Sequence, residues 1–398
     1  MISEFQLTVV HSIGNSARMS TEAKRRPRTA RQVLQNAVGV VDRLVAPHGV
    51  DRYLELVRPT WSTTDVRAKV VAVDRSTPGS VTLTLRPNGN WGGFTAGQHS
   101  QLTVEIGGVR QTRCYSMANS AQGGDGTIEL TVRAHPGGVV SSYLNAESRP
   151  GLVVGLSRAQ GEFTLPKVGW PGRPDRLLLV SGGSGITPVM SMLRTLCDQG
   201  STVPITFLHY ALTEDSMIYR QELEALAAGH GNIRLVRVFT DAPGTGDLDG
   251  FLTAAQLDAA DPDWASTRTA AFVCGPAPLM DAARALYAGT ERPENLRTEA
   301  FTLAQFAAEA GATGSLRLRT TGSVVENDGG TILAQAEAQG LSPLTGCRMG
   351  ICHTCTRNLC SGVVRDAVTG DLTAGSEGLD TEVRICVSVP VGDVEIDL

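Results

Sequence analysis

A chain of 398 residues is too long for one hydrophobic core and divides into two or three domains of ordinary size, so several sites can share one polypeptide. With 41% apolar and 19% charged residues it has the composition of a globular α/β or mixed protein, not of a disordered or fibrous one. The formal charge of -5 argues against a nucleic-acid binder, and no run approaches the roughly 18 apolar residues of a membrane-spanning helix. The amino terminus lacks the charged start, apolar core and small-residue cleavage site of a secretory signal, so a cytosolic location is expected.

Residues 1–60 read as an extension. It carries a basic run, Lys24, Arg25, Arg26, Arg28 and Arg31, followed by an amphipathic stretch from Gln32 to Val45. Such a run is a solvated tail or a peripheral contact with an anionic membrane face. The same Arg-rich, acid-poor composition imitates a transit peptide, and Met19 is an alternative start.

Residues 61–170 alternate apolar and polar positions in short runs, Val81 to Leu85, Gln101 to Ile106 and Thr127 to Val132, separated by Gly, Pro and Asn. That pattern predicts an antiparallel β-barrel. Over residues 171–301 the pattern changes to apolar strands alternating with helical stretches: Arg176 to Val180, Val189 to Cys197, Ile205 to His209. This predicts an α/β nucleotide-binding domain. Residues 302–314 are a linker rich in Ala and Gly. Residues 315–398 open with a strand at Ser315 to Thr320 and an Asn327 to Gly330 turn, followed by a helix capped by Thr331 and ended by Gly340.

Four of the eight cysteines crowd between Cys347 and Cys360, too close for a disulfide framework and natural for a metal site. Cys347, Cys352 and Cys355, with Cys386 farther on, have the plant-type [2Fe-2S] spacing. A tight loop with Gly346 and Gly350 can wrap a cluster and aim backbone N–H groups at its sulfurs. Zinc is the alternative, but structural zinc sites usually pair two short knuckles. His353 reads as a neighbour, since a Rieske centre needs two histidines, and Cys360 reads as a buried bystander.

Residues 315–398 resemble the plant-type ferredoxin family, with the Asp328-Gly-Gly330 turn, helix and cysteine ladder in the family's order; the resemblance implies a β-grasp fold. Upstream, Arg113-Cys-Tyr115-Ser116 and Gly182-Gly183-Ser184-Gly185-Ile186-Thr187-Pro188 resemble signatures of the ferredoxin-NADP reductase family. So do Cys274-Gly275-Pro276 and Glu299-Ala-Phe301. The segment from His135 through Gly138, Val139, Val140, Ser141 and Ser142 supplies glycines and serines at a helix start, where free N–H groups attract phosphate. The resemblance assigns Arg113 to a flavin pyrophosphate, Tyr115 to the flavin face, Ser116 to the region of flavin N5, and Gly138 to Ser142 to the phosphates. It places Thr187 and Cys274 at the nicotinamide contact.

The implied protein is a multidomain NAD(P)H-dependent oxidoreductase that passes electrons through FAD to a [2Fe-2S] cluster. FMN is the alternative flavin. The resemblance favours NADPH, with Arg220 and Arg237 as cations for a 2'-phosphate, while Leu212 stands where many NADPH users carry arginine; NADH stays open. Ser116, Thr187 and Cys274 are expected to position cofactors, since the chemistry belongs to the cofactors. Rival readings are a redox-sensing scaffold without turnover and a self-sufficient oxygenase, which needs a further iron site.

Residues 312–398 hold eleven Asp or Glu against six Arg, a surplus equal to the formal charge of the chain. An acidic cluster domain predicts a basic docking face on the acceptor. The segments Pro47 to Leu56, Cys347 to Cys355 and Ile385 to Gly392 resemble the reductases that serve acyl-CoA desaturases. That implies a membrane-bound fatty-acyl desaturase as acceptor; a Rieske oxygenase, a cytochrome P450 and an alkane hydroxylase are the alternatives.

Overall fold

The computed structural model describes residues 57–165, 174–300, 312–346, 348, 350, 353–368, 370–376, 378 and 380–398, with Asp51 and Leu54. The basic run, the amphipathic stretch, most of the Pro47 to Leu56 segment and of the linker, Phe301, Cys347 and Cys352 lie outside them. Leu54 to Leu398 form one compact unit.

The first layer is an antiparallel sheet with a helix. Its elements are β1 (Val66–Asp74), β2 (Ser80–Pro87), β3 (His99–Ile106), β4 (Val109–Ser116), β5 (Ile128–Arg133), α1 (Val139–Glu147) and β6 (Val153–Leu156), in the order β4-β3-β6-β1-β2-β5. An isolated bridge from Met117 to Leu130 joins the two edges into a barrel. The alternation is literal in β2, where Val81, Leu83 and Leu85 are buried and Thr82 and Thr84 lean outward.

The second domain is parallel throughout: β7 (Arg176–Gly182), α2 (Ile186–Asp198), β8 (Ile205–Ala211), α3 (Arg220–Gly229), β9 (Ile233–Phe239), β10 (Leu248–Asp249), α4 (Ala254–Ala260), β11 (Thr269–Gly275), α5 (Ala277–Ala288) and β12 (Leu296–Ala300). β7, β8 and β11 are buried almost along their whole length, as strands covered on both faces must be. The order β10-β9-β8-β7-β11-β12 reverses direction between β7 and β11, and ligands of open α/β sheets bind at such a switch point. α2 begins at Ile186, three residues before the predicted Val189, because Pro188 fits the first turn, where a missing N–H costs no bond.

The third domain comprises β13 (Ser315–Leu318), β14 (Ser323–Glu326), α6 (Ile332–Ala338), β15 (Thr356–Asp366), β16 (Leu372–Gly375), β17 (Glu382–Arg384) and β18 (Ser388–Ile396). The sheet runs β14-β13-β18-β15-β16 with β17 on β15, the β-grasp arrangement expected. Thr331 caps α6 through the Ala334 N–H, and Gly340 follows the helix at φ 80°, as predicted.

Candidate active site at the domain junction

The glycines of the second domain mark a close approach of backbones. A Cβ on Gly185 would lie 2.3 Å from the Cys274 carbonyl oxygen, and one on Gly275 would lie 3.0 Å from the Gly182 nitrogen. Only glycine lets the turn after β7 press against the end of β11. The Thr187 side chain is buried and its hydroxyl donates to the Ser184 carbonyl at 3.2 Å, so it fixes this turn. No side chain caps α2, and a 3-10 turn over Gly183–Gly185 leads into it, with the Ile186 N–H donating to the Gly183 carbonyl.

On the barrel side, Ser116 ends β4 opposite His99 at the start of β3. Both are buried. Across the junction, Cys274 on β11 pairs with Glu299 on β12. The Glu299 carboxyl lies 3.5 Å from His99 Nδ1, and the two side chains are 7% and 2% exposed. Burial pushes the Glu299 carboxyl above the usual carboxylate range, while the neighbouring His99 and Ser116 partly oppose that. Burial, with Glu299 beside it, also raises the Cys274 thiol far above its ordinary range, so it is a neutral SH and no nucleophile. Ser116 Oγ and His99 Nε2 are buried without a hydrogen bond among the described residues. Unsatisfied buried groups of this kind point to something that fills the junction.

The phosphate-type segment has the same open quality. Gly138 precedes α1, which has no side-chain cap, and a Cβ on Gly138 would lie 2.4 Å from Ser141 Oγ. Ser141 is buried and donates to the Gly138 carbonyl at 3.2 Å, so its hydroxyl shapes the turn. His135, Val139 and Ser142 face solvent, and Val140 packs into the barrel core. Tyr115 packs against that core, and burial pushes its phenol up. Arg113 donates to the Thr112 carbonyl at 2.7 Å. These open N–H groups and the orphaned Ser116 hydroxyl fit a dinucleotide flavin.

At the cluster loop, Cys355 and Cys386 are buried with their Sγ atoms 3.1 Å apart, and neither is in a disulfide. Two thiols turned onto one point, with Gly350 at φ 73° beside Val387, suit a shared metal target. Arg384 donates to the Gly350 carbonyl and pairs with Asp366 at 2.6 Å, which pins the loop to β15. His353 is exposed, and Cys360 lies on β15 with the Arg319 guanidinium 3.7 Å from its sulfur.

Three domain families match in this order: an oxidoreductase FAD-binding domain over residues 79–165, an oxidoreductase NAD-binding domain over 179–285, and a 2Fe-2S iron-sulfur cluster binding domain over 317–391. The chain is 35% identical to an NADPH oxidoreductase of Mycobacterium tuberculosis, covering 90% of this chain and 91% of that one. It is 31% identical to the glycine betaine monooxygenase reductase subunit of Pseudomonas aeruginosa, over 76% and 87%. The chain belongs to the family of NAD(P)H-dependent flavin and [2Fe-2S] reductases. The fold of this reductase is that of phthalate dioxygenase reductase, with a TM-score of 0.56 at 22% identity over 83% of this chain and 97% of that one. FAD, a nicotinamide nucleotide and a [2Fe-2S] cluster are therefore its cofactors.

Several residues of the reductase escaped sequence reasoning. His99 follows an ordinary Gly-Gln pair and gave no signal, and Glu299 stood out only through its end motif. Arg133 is another: its guanidinium would lie 3.8 Å from a Cβ on Gly183, which places a cation beside the glycine turn. Arg194 on α2 is bidentate to Glu222 at 2.7 and 2.6 Å and reaches Glu129 on the barrel at 2.6 Å. Of the two cations expected for a 2'-phosphate, Arg220 pairs with Glu214 at 2.7 Å, and Arg237 sits between Glu224 at 3.2 Å and Asp247 at 3.0 Å. Among the described residues no helix is long and apolar enough to cross a membrane.

Proposed function

We propose that the junction of barrel and nucleotide domain is where a nicotinamide nucleotide reduces FAD. The observation that carries this reading is the contact across two domains of the His99 and Ser116 pair on the barrel strands β3 and β4 with the Cys274 and Glu299 pair on β11 and β12, where the buried Glu299 carboxyl lies 3.5 Å from His99 Nδ1. When bound, FAD takes up a hydride as an electron pair and can release it singly to a one-electron cluster. The protein supplies geometry. Gly182, Gly183, Ser184 and Gly185 bring open backbone to the nucleotide phosphates, and Cys274, Gly275 and Pro276 line the nicotinamide side. Arg113 and the segment His135 to Ser142 hold the flavin phosphates, Tyr115 covers the ring, and the unpartnered Ser116 hydroxyl is kept for a ring atom. Thr187 and Pro188 fix the helix start. Cys347, Cys352, Cys355 and Cys386 hold the cluster.

The acceptor in this proposal is a membrane-bound fatty-acyl desaturase. The acidic surplus of the cluster domain and the basic run of the amino-terminal segment support it, one suited to a basic docking face and the other to an anionic membrane. A soluble oxygenase is the second reading, favoured by a monooxygenase reductase subunit among the relatives. Reconstitution separates them. Desaturase-containing membranes, a nucleotide and this protein are expected to form a double bond in an acyl chain, with activity falling as salt rises. Support of a soluble oxygenase without any unsaturated product from membranes would overturn the desaturase assignment.

A further inference from the structure

One face of the β3–β4 ladder carries successive cross-strand pairs: His99 with Ser116, Gln101 with Cys114, and Thr103 with Thr112. Side chains two residues apart on a strand share a face, and directly opposite residues share it too. Ser100 and Leu102 alternate with them and are fully buried, Leu102 in the barrel core, so the stripe turns outward from that core. Its first pair meets the nucleotide domain, where the Glu299 carboxyl lies 3.5 Å from His99 Nδ1. Its second meets the cluster domain, where Gln101 Nε2 lies 3.5 Å from Thr354 Oγ1. Two residues of strand span about 7 Å, so the hydride junction and the cluster loop stand one pair apart on a single surface.

Both sides of the second contact are held in place. The Gln101 N–H donates to Ser157 Oγ at 2.9 Å, and the Gln101 carbonyl accepts from the Ser157 N–H at 2.9 Å, which fixes this residue on the sheet. Across the seam, His353 has φ 56°, a left-handed conformation that a residue with a Cβ adopts only under constraint. The Thr356 N–H closes that turn on the His353 carbonyl at 3.1 Å. The turn lets two consecutive residues part company: Thr354 meets the barrel, while Cys355 is buried with its sulfur 3.1 Å from that of Cys386. Cys114 is half-buried, outside any disulfide, and stands directly beside Gln101 on this face.

We infer that the Gln101–Cys114 pair is the docking point of the cluster loop and the place where electrons leave the flavin domain, with both side chains as positioning residues for that step alone. The inference rests on the junction being the site where the flavin is reduced. One electron crosses the pair in each transfer, so the reduced flavin loses one and the oxidised cluster gains one, with no bond made between the domains. Its rate depends on how closely the loop sits on the pair, and hydride transfer at the neighbouring pair does not.

The test uses the full-length holoprotein, mixed anaerobically with NADH or NADPH and followed at the flavin and cluster bands. Gln101→Trp sets bulk on the docking point; flavin bleaching is expected at the wild-type rate and cluster bleaching severalfold slower, with the cluster absorption intact. Alkylation of Cys114 by a maleimide is expected to do the same, and Cys114→Ser to make the protein insensitive to the reagent. Mass spectrometry of the labelled peptide gives a readout without turnover: Cys114 is expected to label more slowly in the wild type than in Gln101→Trp, where the loop is held off. Cluster bleaching at the wild-type rate in Gln101→Trp or in the alkylated protein, or equal labelling of Cys114 in the two proteins, would overturn the inference. Equal slowing of both bands would overturn it too, by placing the pair in the hydride site. A wild-type flavin that neither nucleotide bleaches would overturn the junction reading instead. If Gln101→Trp does not fold, the alkylated wild type against Cys114→Ser decides.

Discussion

Where the nucleotide domain meets the barrel, Arg194 binds Glu222 and Glu129, donates to the Ala118 carbonyl at 2.8 Å, and lies 4.6 Å over the Tyr219 ring. Tyr219 in turn donates to Glu129 at 3.0 Å and meets Thr131. Phe163 and Ala96 of the barrel join Phe272, Ile186 and Met192 in one apolar core there. Where the cluster domain meets the barrel, Gln101 Nε2 approaches Thr354 Oγ1 at 3.5 Å, a long and neutral contact. Hydride transfer needs reacting atoms about 3–3.5 Å apart and aligned, so its two domains must be locked. A single electron crosses a gap without such alignment, and a looser seam serves it.

The contrast can be broken most severely at the cluster. Cys355→Ala or Cys386→Ala is expected to abolish the [2Fe-2S] absorption while a nucleotide still bleaches the flavin. Iron retained at wild-type content in both variants would remove these residues from the ligand set.

Next in size is the lock itself. Arg194→Ala strands Glu129 and Glu222, 23% and 41% exposed, at the junction. Removing one partner of a buried pair costs about 3–5 kcal/mol, and the partial exposure here lowers the expectation to about 2–3 kcal/mol in denaturant unfolding. A loss under half of that would mean the apolar core alone holds the domains.

Acid tests the nucleotide side separately. His209 on β8 is fully buried with Nδ1 2.7 Å from Ser181 Oγ, and burial, with Arg133 nearby, lowers its pKa from 6.5 to about 3. The folded state therefore binds fewer protons than the unfolded chain between those values, and stability falls as pH drops from 6.5 toward 3. By pH 5 the wild type should lose about 2 kcal/mol that a His209→Gln variant does not lose. Parallel pH profiles of the two proteins would refute a neutral buried His209.

The smallest effect is expected at the seam. Gln101→Ala should change stability by no more than about 0.5 kcal/mol, because a long neutral contact contributes little net. A loss of about 2 kcal/mol or more would place the seam in the same class as the lock.

The same contrast governs what the sequence revealed. The Gly182 to Pro188 turn, Arg113 to Ser116 and the Cys347 to Cys355 loop are local motifs, because each needs a fixed spacing along a few residues, and they were legible. The β-grasp helix was legible too, since Thr331 and Gly340 mark its ends. Arg194 with Glu129 was not: the partners are 65 residues apart, and nothing in either neighbourhood specifies the other. His99 and Glu299 meet across 200 residues for the same reason. The partners of Arg220 and Arg237 were not legible either, because a list of cations does not reveal which carboxylates pair with them.

The central claim is that nucleotide electrons pass through the flavin to the cluster within this chain. Anaerobic rapid mixing of the purified protein with NADH and, separately, with NADPH, followed across the visible spectrum, tests it most directly. The flavin bands should bleach first and the [2Fe-2S] bands after them, at a rate independent of protein concentration. Bleaching of the flavin with a cluster that stays oxidised, or that follows only by collision between molecules, would contradict it.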